Sequence, residues 1–148
     1  MTKAVLNIQA ATQKDIPEIK QWLISNDLPT EDIDGTSAHF FLFYQQNQLV
    51  GMSGIERFET VGLLRSVVVK RMLRNNNVGF DLVSMTIAQA KKMGIHQLYL
   101  LTTTADKFFR KLGFVDTDRA TAPECIKLTH EFADLCPESA SFMTLNIH

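Results

Sequence analysis

The sequence predicts an α/β (α+β) domain, a mixed and mostly antiparallel central sheet with helices on both faces. Three observations lead there. Residues 39–44, 49–57 and 62–69 are successive strand-like runs joined by short turns, the pattern of antiparallel neighbours. A long amphipathic stretch follows, with Gly79, Leu82, Val83, Thr86, Ile87, Ala90 and Met93 at spacings of three and four. Residues 96–101 are apolar again, so strand, helix and strand make a crossover that adds a parallel pair.

Taken in order, residues 4–10 alternate loosely and read as a first strand. Thr12 with Asp15 three positions later is an N-cap pattern, and Pro17 suits a first turn. Ile16, Ile19, Trp22 and Leu23 supply the apolar face of a helix ending near Asn26. Residues 27–37, with Pro29, Asp34 and Gly35, read as loop with a short helical turn. Aromatics at 40–44 mark the next strand, Gln46-Asn47-Gln48 the turn, and Gly51 and Gly54 lie in the returning strand. Asn77 is a candidate N-cap for the long helix. Lys91 and Lys92 suit its last turn, and Gly94 its left-handed end. Residues 105–111 fit a short helix, Gly113-Phe114-Val115 the start of a strand, 123–135 a further helix, and 142–147 a last strand. No repeat or linker divides residues 1–148, which read as a single domain.

Composition narrows the function classes. Hydrophobic content of 45%, charged content of 21% and a net charge of −1 describe a globular protein without a basic field for nucleic acid or an acidic membrane surface. No apolar run reaches the length of a membrane span, and the N-terminus lacks a signal-peptide core, so a cytoplasmic protein is expected. Cys125 and Cys136 form no metal-ligand spacing, His39, His96, His130 and His148 are scattered, and no metal is expected. An antiparallel last strand and an aromatic-rich edge are compatible with a homodimer.

The segment Arg74-Asn75-Asn76-Asn77-Val78-Gly79, between a strand and a helix N-terminus, has the make-up of an anion site. It resembles the pyrophosphate loop of the GCN5-related N-acetyltransferases (GNAT), Gln/Arg-x-x-Gly-x-Gly/Ala. Arg74 and Gly79 match, while Asn75 and Asn77 stand where the family favours glycine. Asn is the non-glycine residue most tolerant of positive φ, so the backbone shape is retained in principle. Residues 105–114, ADKFFRKLGF, resemble the family's A-x-x-[FL]-[YF]-x-[KR]-x-G-[FY] segment, and the element order is the family's over essentially the whole chain. The phrases LLRSVVV (63–69), LYLLTTTA (98–105) and THEFADLCPESA (129–140) are similar to those of arsenic-resistance-associated N-acetyltransferases, thought to acetylate glutamate-like amino acids bearing an arsinate or phosphinate group.

The resemblance implies the GNAT acyl-CoA N-acyltransferase fold and transfer of an acetyl group from acetyl-CoA to a small-molecule amine in a ternary complex. It implies that Arg74, Asn75, Asn76, Asn77, Val78, Gly79 and Phe80 hold the diphosphate. Val67, Val68 and Val69 would pair with pantetheine, Phe108 would flank it, and a backbone N–H near Val67 would polarise the thioester carbonyl. The family's strand glutamate is Leu63 here and its tyrosine acid is Phe109, which donates no proton. Glu56 is then the candidate general base, acting through a water, or simply a solvated strand-end carboxylate. Strand alternation puts Leu63, Arg65, Val67 and Val69 on one face. A buried Arg65 either binds a substrate carboxylate or arsinate, or pairs with Glu56 or Glu131. Thr102, Thr103 and Thr104 offer hydroxyls to a substrate, Thr103 being the candidate ligand, or cap the next helix. The alternative function is a non-catalytic acetyl-CoA-binding sensor on the same fold.

Overall fold

The three central strand patterns become β2 (Ala38–Gln45), β3 (Gln48–Phe58) and β4 (Val61–Val69), an antiparallel meander. Gln46 and Asn47 take φ of 50° and 65°, the mirror-image turn that matches the twist of two paired strands. The computed structural model describes residues 5–26, 38–70, 77–129, 132 and 140–147. Among these, β1 (Asn7–Ala10), β5 (Gln97–Thr102), β6 (Val115–Asp116) and β7 (Ser141–Asn146) complete one sheet in the order β1-β2-β3-β4-β5-β7-β6. Among the described strands only β4 and β5 run parallel. The first strand is shorter than the sequence pattern, beginning at Asn7.

Helices cover both faces, as expected. The long amphipathic stretch is α2 (Val78–Lys92), which buries Val78, Leu82, Val83, Thr86 and Ala90. The four apolar ones join Phe41, Phe43, Val50, Ile55, Leu64, Val69, Leu98, Leu100 and Met143 of the sheet in the largest core cluster. Gly94 ends the helix at φ +83°. On the opposite face α1 (Ile16–Ser25) sets Ile19 and Leu23 against Phe40, Leu42, Met52 and Val68. Beside it, Ile126 of α4 (Glu124–Lys127) packs with Leu63, Tyr99 and Phe142. Of the helical segment expected over 123–135, the described residues show α4 and a helical Phe132. Thr12 and Asp15 do form the expected reciprocal turn, with the Thr12 N–H donating to Asp15 Oδ2 at 2.8 Å, at a short 3-10 turn ahead of α1. Among the described residues no helix is long and apolar enough to cross a membrane.

The alternation expected along β4 fails at Ser66. Gly54 faces Arg65 and Met52 faces Val68, so Ser53 alone opposes both Ser66 and Val67. Ser66 takes φ +57°. This is a β-bulge, and past it every side chain changes face. Leu63, Arg65 and Val68 therefore lie on the α1 and α4 face, whereas Leu64, Val67 and Val69 lie on the α2 face. The sequence pattern contains nothing that marks Ser66, because a serine is no signal for positive φ.

Candidate active site

Strands β4 and β5 part company soon after they meet. Their pairing runs over Val61↔Gln97, Gly62↔Leu98 and Leu63↔Tyr99, and no further pair joins them among the described residues. Beyond Leu63, β4 stays with β3, while β5 continues along β7 as far as Thr102↔Ser141. The sheet thus opens as a wedge whose mouth lies toward the ends of β4 and β5. Beyond Leu63, β4 has no strand partner on its β5 side among the described residues, the arrangement in which an extended ligand can add to a strand edge.

Three candidate residues from three elements meet at this mouth. A Cβ built on Gly79, in the first turn of α2, would lie 3.5 Å from Phe108 Cζ and 3.6 Å from Val69 Cγ2. Phe108 belongs to α3 (Asp106–Lys111), the short helix after β5. Its ring meets the Phe109 ring edge-on at 5.1 Å, and Phe109 in turn meets Phe114 at 5.6 Å. Phe109 is buried in the core and serves packing. Phe108 stays half-buried beside Gly79.

Asn77 precedes α2 with φ +61° and ψ 9°, left-handed backbone that a glycine would adopt freely. The glycine-like shape expected of this asparagine is present. Its side chain makes no capping bond, however, which corrects the N-cap role read from the sequence: N-capping needs an extended backbone at that residue. The first free N–H groups of α2, at Val78, Gly79 and Phe80, sit at a helix N-terminus that favours an anion. Phe80 is exposed and Asp81 lies in the same turn. Arg74, Asn75 and Asn76 lie outside the described residues, as do His130, Glu131 and Cys136.

Behind the wedge, on the α1 and α4 face, Arg65 Nη1 donates to Glu56 Oε1 at 2.8 Å, with side-chain exposures of 1% and 8%. Glu56 lies across from Leu63 and Arg65 across from Gly54, so the two are diagonal neighbours on adjacent strands. Gly54 makes room for them. A Cβ there would meet the Phe40 ring at 2.9 Å and Arg65 Cγ at 3.4 Å. Arg65 Nε also donates to Ser66 Oγ at 3.2 Å. Of the pairings left open for Arg65, the one to Glu56 is formed.

The threonines divide. Thr102 Oγ1 accepts from the Ala105 N–H at 3.0 Å in the turn ahead of α3, whose start carries no side-chain cap, while Thr103 is exposed in the bend after β5. A cleft of about 550 Å³ that sequence reasoning missed lies between the end of α1 and the end of β4. Gln21, Trp22, Ser25 and Asn26 line it from α1, and Val68, Val69 and Lys70 from the strand end. Trp22 read as core-facing, and nothing local links α1 to residues so far along the chain. Among the described residues no group of His, Cys, Asp and Glu is arranged to hold a metal ion.

A family model described as an acetyltransferase (GNAT) domain matches residues 8–130. The chain belongs to the GNAT acetyltransferase family. The amino-acid acetyltransferase of Salmonella typhi is 27% identical over 104 residues, which is 69% of this chain and 24% of that protein. The domain thus spans about a quarter of the length of the curated relatives it matches. Among solved structures, N-acetylglutamate synthase from Neisseria gonorrhoeae, complexed with coenzyme A and N-acetyl-glutamate, matches with a TM-score of 0.81 at 18% identity, over 99% of this chain and 36% of that one. A GNAT-family acetyltransferase from Staphylococcus aureus Mu50 matches with a TM-score of 0.76 at 20% identity, over 97% of this chain and 100% of that one. At such identities the likeness concerns the fold. That fold is a GNAT fold, and its family is one of acyltransferases.

Proposed function

We propose that this GNAT domain is an acetyl-CoA-dependent N-acetyltransferase acting on the amine of a small, amino-acid-like molecule by direct transfer in a ternary complex. The observation that carries the reading is the wedge between β4 and β5, with a left-handed Asn77 and a side-chain-free Gly79 at its mouth. The residues present fit the co-substrate. Val67, Val68 and Val69 offer strand backbone to the pantetheine amides, and Phe108 walls the arm beside Gly79. Residues 74–80 hold the diphosphate at the helix N-terminus. Acetyl-CoA supplies an activated thioester.

The chain's own contribution is then positioning. A backbone N–H near Val67 orients and polarises the acyl carbonyl. The cleft under Trp22 and Lys70 receives the acceptor, and among its described lining residues Lys70 is the cation that can meet an acceptor carboxylate. Holding two reactants in line can by itself supply much of an acceleration. The printed names of the relatives, amino-acid acetyltransferase and N-acetylglutamate synthase, support an amino-acid acceptor. The phrase-level resemblance narrows this to glutamate-like amines bearing an arsinate or phosphinate group.

The second reading, a non-catalytic acetyl-CoA sensor, draws on the buried Phe109, which leaves that position without a proton donor. Thermal unfolding with and without acetyl-CoA, followed by thiol release with a panel of amino acids and their arsinate and phosphinate analogues, separates the two. Stabilisation with turnover supports the enzyme, stabilisation without turnover on any amine leaves the sensor, and no stabilisation sinks both.

A further inference from the structure

We infer that Glu56 and Arg65 are positioning residues that latch the Ser66 bulge, and so set the β4 backbone at the wedge. Resting on the acetyltransferase reading, this assigns Glu56 a role through Arg65 and Ser66 in place of one as general base. The chain of contacts is continuous. Glu56 Oε1 accepts from Arg65 Nη1 at 2.8 Å, and Arg65 Nε donates to Ser66 Oγ at 3.2 Å. Ser66 is the left-handed residue of the bulge, at φ +57°.

A serine has no intrinsic preference for that backbone and needs an outside constraint to stay there. The guanidinium provides one. Its planar fork fixes the directions of Nη1 and Nε together, so locking one on a buried carboxylate aims the other. The opposite side of the bulge is pinned too. Ser53, the single residue facing Ser66 and Val67, exchanges a buried hydrogen bond of 2.7 Å with Thr86 of α2. Thr86 Oγ1 also donates to Leu82 O at 2.8 Å. The bulge is therefore held between a buried ion pair on one face of the sheet and a hydroxyl pair on the other.

What the bulge decides is the facing of Val67 and everything after it. Without it, Val67 and Val69 would share the face of Leu63 and Arg65, and Val69 could not sit beside Gly79 and Phe108 as it does. A latch on Ser66 thus controls the edge that faces the wedge without touching a ligand.

The test uses Glu56→Gln, Ser66→Ala and Ser66→Gly, alone and in the Glu56→Gln/Ser66→Gly pair. It reads kcat, the acetyl-CoA dissociation constant by calorimetry, and amide hydrogen exchange at Met52, Gly54, Arg65 and Val68, which flank the bulge. Glu56→Gln and Ser66→Ala should lower kcat by about tenfold, weaken acetyl-CoA binding because the same β4 backbone pairs with the pantetheine amides, and speed exchange at the flanking amides. Ser66→Gly should lose less than Ser66→Ala, since glycine holds positive φ unaided, and should recover part of what Glu56→Gln loses. Unchanged exchange in both Glu56→Gln and Ser66→Ala would overturn the latch, as would equal losses in Ser66→Ala and Ser66→Gly. A raised acceptor KM at constant kcat would instead make Arg65 an acceptor ligand. Absence of turnover in the unsubstituted protein would overturn the enzymatic reading, and the exchange arm would still decide the latch.

Discussion

Arg65 and Glu56 form a buried ion pair at 2.8 Å across two strands of the sheet, next to the one position where β4 breaks its own alternation. Removing one partner strands the other charge. Glu56→Ala should destabilise the fold by about 3–5 kcal/mol in urea unfolding. Replacing both with methionine should cost far less, because no charge is then left buried. A double replacement as damaging as the single would show that the pair's value lies elsewhere.

Asn77 has to hold a backbone that few side chains accept. Asn77→Gly should retain folding and acetyl-CoA affinity. Asn77→Val, β-branched at φ +61°, should lose about 1–2 kcal/mol of stability and weaken acetyl-CoA binding. Differential scanning and titration calorimetry on the two variants check this.

Gly79 separates stability from binding. Its Cβ position lies in ordinary contact with Phe108 and Val69, so the fold has room for a methyl group. Gly79→Ala should raise unliganded stability by about 0.5–1 kcal/mol, since alanine suits a helix better. Acetyl-CoA binding should weaken, since the proposed diphosphate position takes up the same space. Equal affinity in both forms would place the diphosphate away from this helix start.

The hydroxyl pair Ser53 and Thr86 is fully buried between β3 and α2. Thr86→Val should cost about 1–3 kcal/mol by leaving Ser53 without its partner. Adding Ser53→Ala should return part of that loss, which a double-mutant cycle in denaturant would measure.

A surface pair gives a pH signature. The hydrogen bond from Arg110 to Asp106, at 2.7 Å, holds the Asp106 carboxyl below the usual carboxylate range. A carboxyl depressed in the folded state stabilises it above the unfolded value, and that contribution disappears as pH falls through the folded value. Asp106→Asn should therefore be less stable than the unsubstituted chain at neutral pH. The two should converge at strongly acidic pH and, because the pair is exposed, at high salt as well.

Much of the architecture was legible. The spacing from Leu82 to Ala90 marked α2, the paired runs around Gln46-Asn47 marked a hairpin, and Gly94 marked a helix end, because each signal is local and repeats with the period of its own backbone. The left-handed Asn77 was legible for the same reason, as a property of one residue type. Phe109 and Phe108 were harder. Adjacent residues on a short helix point different ways, and only the packing of α3 on the core sends Phe109 to Phe114 and leaves Phe108 at Gly79.

Residue order alone therefore established the element types and the mixed sheet. Tertiary structure decided which side chains share a face and a pocket. Ser66 takes its positive φ in a bulge opposite Ser53, beside the Glu56–Arg65 pair, and that moves Val67 and Val69 to the other face from Leu63 and Arg65. The cleft likewise joins Trp22 of α1 to Lys70 at the end of β4, residues brought together by the sheet's pairing order. Such choices rest on contacts between residues far apart along the chain, and periodicity within one segment carries no record of them.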